Sequence, residues 1–271
     1  MSRVLYSLLA AVLLSSTVFA QDRLRLATTT STENSGLLSL LHPPFEEQYN
    51  VTVDVIAVGT GKALRLAENG DVDLVMVHAP AAEQEFMESG YGVERLPVMH
   101  NDFVLVGPAA DPAGVAAANS PADAMTRITQ SAAGFISRGD DSGTHKKEMA
   151  LWQAARIRPE GEWYLSVGQG MGAVLKIADD RQAYTLTDRG TYLAFKGKTD
   201  LDIVHQGAAE LRNSYHVILI NPEKHPHVQT ALAQKYADFI RGEQGQRIIR
   251  EFRISGEQLF IPDVIRIRGR N

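Results

Sequence analysis

Short apolar runs alternate with helix-spaced apolar positions along almost the whole chain. Leu24, Leu26 and Ala27 form one such run, and Leu37, Leu38, Leu41 and Phe45 then repeat as on one face of a helix. Val51–Val58 reads as a strand, 61–69 as a helix closed by Gly70, and 73–78 as a buried strand. Residues 82–88 follow as a helix closed by Gly90, and 103–108 as another apolar strand. This β-α-β-α-β order predicts an α/β fold, a mostly parallel sheet with helices on its faces.

Past Pro108 the composition shifts to Ala and other small residues over 109–124, and a second series begins. It predicts a strand at 133–138, helices at 144–155 and 172–180, a strand at 183–187, a helix at 189–195 and a short strand at 203–204. The long apolar strand 215–222 resembles 103–108, since one ends in Asn-Pro and the other in Gly-Pro. An amphipathic helix from Val228 to about Phe252, interrupted near Gly242, closes the pattern. Two similar strands bracketing a segment with its own α/β pattern are what two lobes joined by two crossings would produce. The expected division is 21–107 with 216–271 for one lobe and 108–215 for the other. A single continuous sheet is the alternative that periodicity leaves open.

The first twenty residues read differently. Arg3 precedes an apolar run from Val4 to Val18, and Val18-Phe19-Ala20 stands before Gln21-Asp22. The run is shorter than the ~20 residues that span a bilayer, and the small residue at Ala20 fits a cleavable secretory signal over residues 1–20. The protein is therefore expected in the periplasm. The 271-residue chain contains no Cys, which excludes disulfides and thiolate chemistry, and its net charge of −5 argues against a nucleic-acid partner.

Hydroxyls and glycines gather where strands give way to helices. Ala27-Thr28-Thr29-Thr30-Ser31-Thr32-Glu33-Asn34-Ser35-Gly36 sets a row of hydroxyls at the first junction, with Thr30 and Glu33 spaced as a capping box. Val58-Gly59-Thr60-Gly61-Lys62 opens the second, with Thr60 expected as the N-cap. Ser137-Arg138-Gly139-Asp140-Asp141-Ser142-Gly143-Thr144-His145 forms the third, and Thr185-Leu186-Thr187-Asp188-Arg189 the fourth. Helix starts offer free N–H groups that suit an anion. In an open α/β sheet they lie at the carboxyl ends of the strands, where ligands bind.

Other motifs are weaker. Gly61-Lys62 fails as a phosphate-binding loop because Ala63 replaces the hydroxyl and Ile56 stands where the first glycine belongs. Gly168-Gln169-Gly170-Met171-Gly172-Ala173 loosely fits a dinucleotide fingerprint but sits in mid-chain and reads as a tight turn. Ser142 with His145 or His78 as base would make a serine hydrolase, yet no spacing supplies an orienting acid. His225-Pro226-His227 offers two imidazoles to a metal, or simply a solvated loop.

These blocks together resemble the tungstate-binding proteins of the Tup type, periplasmic components of ABC importers. The likeness is carried by the Ala27–Leu38 stretch, Val58-Gly59-Thr60-Gly61-Lys62-Ala63-Leu64, Gly70-Asp71-Val72-Asp73 with Val77-His78-Ala79, and Asn101-Asp102-Phe103 with Gly107-Pro108. It continues through 137–145, 168–172 and 184–192. The resemblance implies a two-lobed binding protein of the class II periplasmic type, with an oxyanion in the interlobe cleft. It maps ligand roles onto Thr29, Thr30 and Ser31, onto Thr60 and Gly61, and onto Arg138 with Ser142, Gly143 and Thr144. It implies a binding protein rather than an enzyme, a monomer without a resident cofactor, and a membrane permease as partner.

The residues suit that reading. Tungstate and molybdate are unprotonated near neutral pH, so a matching cavity should offer donors: hydroxyls, backbone N–H groups and one cation. Arg138 is the cation inside a candidate loop, and its planar fork can grip two oxygens. The alternative for Arg138 is a surface ion pair with Asp140 or Asp141. A protonated phosphate would turn a donor toward donors, at ~1–3 kcal/mol if left unsatisfied. Sulfate must be rejected by size, and nothing in the residues separates tungstate from molybdate.

Overall fold

A computed structural model describes residues 22–264, so the expected signal segment lies outside the described residues. The first half runs β1 (Asp22–Thr29), α1 (Thr30–Asn34), α2 (Leu38–Tyr49), β2 (Val51–Val58) and α3 (Thr60–Glu68), then β3 (Leu74–Val77), α4 (Pro80–Glu88) and β4 (Gly92–Pro108). The middle holds α5 (Pro121–Gln130), β5 (Phe135–Ser137), α6 (Gly143–Ala154), β6 (Tyr164–Ser166) and α7 (Met171–Asp180), then β7 (Thr185–Asp188), α8 (Arg189–Phe195) and β8 (Leu201–His205). The chain returns through β9 (Arg212–Ile220), α9 (Thr230–Arg241) and α10 (Glu243–Glu251), and ends in the short strands β10 (Arg253–Ile254), β11 (Glu257–Gln258) and β12 (Ile261–Pro262).

One sheet has the order β12-β4-β9-β3-β1-β2. β1 pairs in parallel with β2 and β3, whereas β9 is antiparallel to both β3 and β4. In the middle segment β5 and β6 are parallel, and β7 and β8 run antiparallel to the end of β4. Parallel pairing is thus confined to strands linked by helical crossovers, and the expectation of mostly parallel sheets gives way to mixed ones. The physical reason is that the chain leaves along β4 and comes back along β9, so the two crossings must oppose each other.

β4 belongs to both halves of the molecule. Its residues Gly92 to Asp102 pair with β9, and Phe103 to Pro108 pair with β7 and β8. The partners change at Asp102/Phe103, so 103–107, expected at the end of the first lobe, pairs with β7 and β8, strands of the middle segment. Ser214 and Tyr215 pair with His100 and Met99, on the side opposite to the one expected for them. The sequence pattern stopped short here because Glu94, Arg95 and Pro97 break the apolar run.

Burial explains why the strands read as continuous apolar runs. Leu74 and Met76 face a core with Leu41, Phe45 and Tyr236, while Val75 and Val77 face another with Ala63, Leu64 and Phe86. In the second half Phe103 and Leu105 pack on Met125 and Trp152, and Val104 and Val106 pack on Val174 and Leu193. A strand covered on both faces has no side free for polar residues. α5 was missed in the Ala-rich stretch although Ser120 caps it by accepting from the Asp123 N–H, with Pro at its first turn. Among the described residues no helix is long and apolar enough to cross a membrane.

Candidate functional site

A cavity of about 400 Å³ opens between the two halves. Thr30, Ser31, Asn34 and Ser35 line it from α1 and the turn after it, and Arg138 and residues 170–173 from the opposite side. Asp188 and Thr191 border it at the start of α8, Asn101 and Tyr215 come from the crossing strands, and Leu259 and Phe260 from the carboxyl-terminal segment. The site is therefore assembled from both halves and from the strands that join them.

Thr29, not Thr30, caps α1: its hydroxyl accepts from the Thr32 N–H, so a single cap bond one residue earlier replaces the expected Thr30–Glu33 box. The cause is that β1 continues through Thr29, which leaves Thr29 extended and Thr30 already helical. Around Thr29 Oγ1 stand Thr32 Oγ1 at 2.7 Å, Ser31 Oγ at 3.1 Å and His78 Nε2 at 3.1 Å. His78 Nε2 also lies 3.3 Å from Ser31 Oγ.

His78, at the end of β3, ties this hydroxyl group to the crossing strands. Its Nδ1 lies 2.9 Å from Asn213 Oδ1, and its ring stacks on Tyr215 with centroids 4.5 Å apart. Asn213 Nδ2 donates to Asn101 Oδ1 at 2.7 Å and to the Tyr215 hydroxyl at 3.1 Å. Burial lowers the His78 pKa, against the opposing pull of the Asn213 bond and of the Asp188 and Glu83 charges. Gly143, the first residue of α6, comes so close that a Cβ there would lie 3.6 Å from His78 Cε1.

Across the cavity, Arg138 follows β5 in a turn shaped by Gly139. Gly139 has φ +63°, which favours glycine, and a Cβ there would meet Ser166 Oγ unless that side chain turned away. Arg138 Nε donates to Asp140 Oδ2 at 2.7 Å, and the Ser142 N–H donates to Asp140 Oδ1 at 3.1 Å. Burial alone would raise the Asp140 pKa, but the bonds from Ser142 and Arg138 hold it below the usual value. Arg138 thus makes the Asp140 pair weighed from the sequence and borders the cavity as well. A side chain held by one carboxylate through Nε keeps the rest of its fork available.

The cavity contains one feature that does not favour an anion. Asp188 borders it, and its two oxygens take the Thr191 N–H at 2.9 Å and the Thr191 hydroxyl at 2.6 Å. Those bonds turn the carboxylate toward the start of α8 and offset its charge locally. Gly170 supplies no side-chain cap to α7, and residues 170–173 of its first turn, whose N–H groups lack partners within the helix, line the cavity.

Of the candidate residues, Thr30, Ser31 and Arg138 border the cavity, and Thr29 stands buried behind them. Ser142, Gly143 and Thr144 form the start of α6, where Ser142 Oγ accepts from the His145 N–H. Thr60 and Gly61 open α3; Gly59 is its N-cap, with no side-chain bond, and Thr60 is its first helical residue rather than its cap. Sequence reasoning missed Asn213 and the place of Tyr215 at the cavity, and named His78 and Asn101 without a role at it. It also dismissed the turn at Gly170, whose signal was the glycine-rich run before a helix.

The competing motifs find other uses. His145 Nδ1 accepts from the Asp141 N–H at 3.0 Å, so that nitrogen is engaged by backbone rather than by Ser142. His225 and His227 each bond a backbone carbonyl, of Glu68 and Gly70, and so fasten the turn after α3.

Comparison with known proteins follows the same line. A sequence profile described as PBP superfamily domain matches residues 17–243. The chain is 46% identical over 248 residues to the tungstate-binding protein TupA of Peptoclostridium acidaminophilum, covering 90% of this chain and 87% of that one. It is 55% identical to a solved structure described as the tungstate ABC transporter from Geobacter sulfurreducens, with a TM-score of 0.78 over 86% of this chain and 100% of the other. Tungstate-binding TupA from Desulfovibrio alaskensis G20 is 42% identical, with a TM-score of 0.82 over 90% of this chain and all 100% of that structure.

Proposed function

The chain belongs to the PBP superfamily, and on that footing we propose that it is the solute-binding component of an ABC importer that captures tungstate. It is a binding protein and not an enzyme. The observation that carries the ligand class is the meeting of Thr30 and Ser31 with Arg138 across one cavity between the halves. Hydroxyls, backbone N–H groups at the start of α7 and a guanidinium give an unprotonated dianion the donors it needs. The relatives at 46%, 55% and 42% identity, each named for tungstate, supply the choice of anion.

The cavity is larger than the ligand. At ~30 Å³ per water it holds roughly a dozen waters, so a bound dianion would still be solvated in this geometry. The halves therefore close on it by a hinge motion at β4 and β9, the two strands that cross between them. The protein acts in the periplasm, as a monomer with no resident cofactor, and hands the anion to a membrane permease. The apolar leader over residues 1–20 supports export.

A thermal-shift panel with tungstate, molybdate, sulfate and phosphate tests this reading. Ligand that binds only the native state stabilises it by about 4 kcal/mol at a thousandfold excess over Kd. Tungstate is expected to raise the melting temperature strongly, and sulfate and phosphate little. A null result with tungstate, or a largest shift from phosphate, ends the proposal.

A further inference from the structure

The hydroxyl cluster beside the cavity has more candidate donors than acceptors, and Asn213 decides which nitrogen of His78 is free to accept from it. Asn213 Nδ2 donates to Asn101 and Tyr215, so Asn213 Oδ1 is the acceptor that faces His78 Nδ1. His78 Nδ1 must then carry the hydrogen, and the neutral ring presents a bare lone pair at Nε2. That lone pair faces Thr29 Oγ1 at 3.1 Å and Ser31 Oγ at 3.3 Å.

We propose that His78 is a positioning residue of the oxyanion site: its Nε2 takes the Thr29 hydroxyl hydrogen, Thr32 donates to Thr29, and Ser31 keeps its own hydrogen for the anion. This rests on the cleft being the oxyanion site. In this arrangement the Thr29 oxygen accepts from the Thr32 N–H at 3.3 Å and takes its second hydrogen bond from the Thr32 hydroxyl, whose oxygen lies 2.7 Å away. With both lone pairs filled and its one hydrogen given to His78, Thr29 can neither receive Ser31 nor reach the ligand. Thr29 and Thr32 are buried, and Ser31 borders the cavity. Without an acceptor at His78, the Thr29 hydrogen would turn to Ser31 or Thr32 and set their hydroxyls in conflict.

The surroundings keep His78 in this state. Tyr215 and Asn213 cover the ring from β9, Gly143 approaches its edge from α6, and the nearby charges are Asp188 before α8 and Glu83 on α4. Glu83 is engaged by Arg95 at 2.7 Å and His216 at 2.9 Å, and Asp188 by Thr191. Among the described residues the groups bonded to Nε2 are hydroxyls, not carboxylates.

Long-range ¹H–¹⁵N spectra of ¹⁵N-labelled protein read the ring directly, with His78 assigned by its absence from the His78→Gln spectrum. The expected result is the Nδ1–H tautomer, the less common one for free histidine, with an Nε2 resonance that shifts when tungstate is added. An Nε2–H tautomer, or an Nε2 resonance unmoved by tungstate that binds, overturns the role. Tungstate affinity adds a second readout, because Gln can accept from Thr29 and donate to Asn213 as His78 does, whereas Leu can do neither. His78→Gln should stay within about threefold of the parent and His78→Leu should weaken binding by about tenfold or more. Equal affinity of the Leu variant and the parent also overturns the role. If the Leu variant does not fold, the tautomer decides. A parent protein that binds none of the four oxyanions refutes the cleft's proposed ligand instead, a result distinct from tungstate binding with the wrong tautomer.

Discussion

The Ser137 hydroxyl donates to the buried carboxylate of Glu148, Oγ to Oε2 2.8 Å, from the residue immediately before Arg138. The same carboxylate accepts from Trp152 Nε1 at 3.1 Å and from the Tyr164 hydroxyl at 2.8 Å. One side chain therefore joins β5, α6 and β6 next to the turn that carries Arg138. Burial raises the Glu148 pKa, and the three donated bonds oppose that rise. Glu148→Ala would strand those donors and should cost about 3 kcal/mol or more. Glu148→Gln keeps two acceptor bonds, and Ser137 can rotate to accept the third, so about 1 kcal/mol is expected. Urea midpoints of the two variants check this, and equal losses would contradict it.

Arg138→Lys separates charge from geometry at the cavity. An ammonium keeps the positive charge but cannot present two parallel donors to two oxygens. Tungstate affinity should fall at least about tenfold, a loss of about 1.4 kcal/mol, while the ligand-free melting temperature changes little, because Arg138 makes one partly exposed ion pair with Asp140. Arg138→Ala should remove most of the tungstate-induced shift. A shift that survives in the Ala variant takes Arg138 out of the site.

Gly139→Ala tests whether the turn itself matters. The residue would bear φ +63°, a left-handed conformation, and its Cβ would displace the Ser166 hydroxyl. Ser166 can rotate, so the backbone term dominates and a loss of about 1–2 kcal/mol is expected. Because Arg138 precedes the strained residue, tungstate affinity should fall with stability. Calorimetric unfolding together with a binding titration distinguishes this from a purely structural loss, in which affinity would stay constant.

The parts of the molecule legible in the sequence were those with one dominant signal. Strands covered on both faces, such as β2 and β3, show as unbroken apolar runs, and Gly70 and Gly90 announce helix ends. β4 hid its first half because Glu94, Arg95 and Pro97 sit on a strand that lies near the edge of its sheet beside short β12. At the site, Ser31 and Arg138 were visible as a hydroxyl row and a cation beside glycines. His78 was visible only as a possible base or as part of a sequence block, and its bond to Asn213, 135 residues away, was not. Hydrogen-bond direction is a property of the assembled cluster and leaves no local trace.

His42 gives the protein a pH dependence of known sign. It is buried in α2, its Nε2 is 2.9 Å from the Tyr236 hydroxyl, and burial pushes its pKa down to about 4 from 6.5. The unfolded chain takes up a proton at its ordinary pKa while the folded chain does not. Between pH 6.5 and about 4 the unfolded state thus holds more protons, and stability falls as the pH is lowered, by up to about 1.4 kcal/mol per unit. His42→Gln keeps a polar partner for Tyr236 but cannot titrate. Relative to that variant, the parent should lose roughly 2 kcal/mol between pH 7 and pH 5 in urea unfolding. The comparison with the variant matters because Glu148, whose pKa is shifted upward, tilts the curve the other way in both proteins. Parallel stability curves for the two would show that His42 is protonated in the fold as readily as in the unfolded chain.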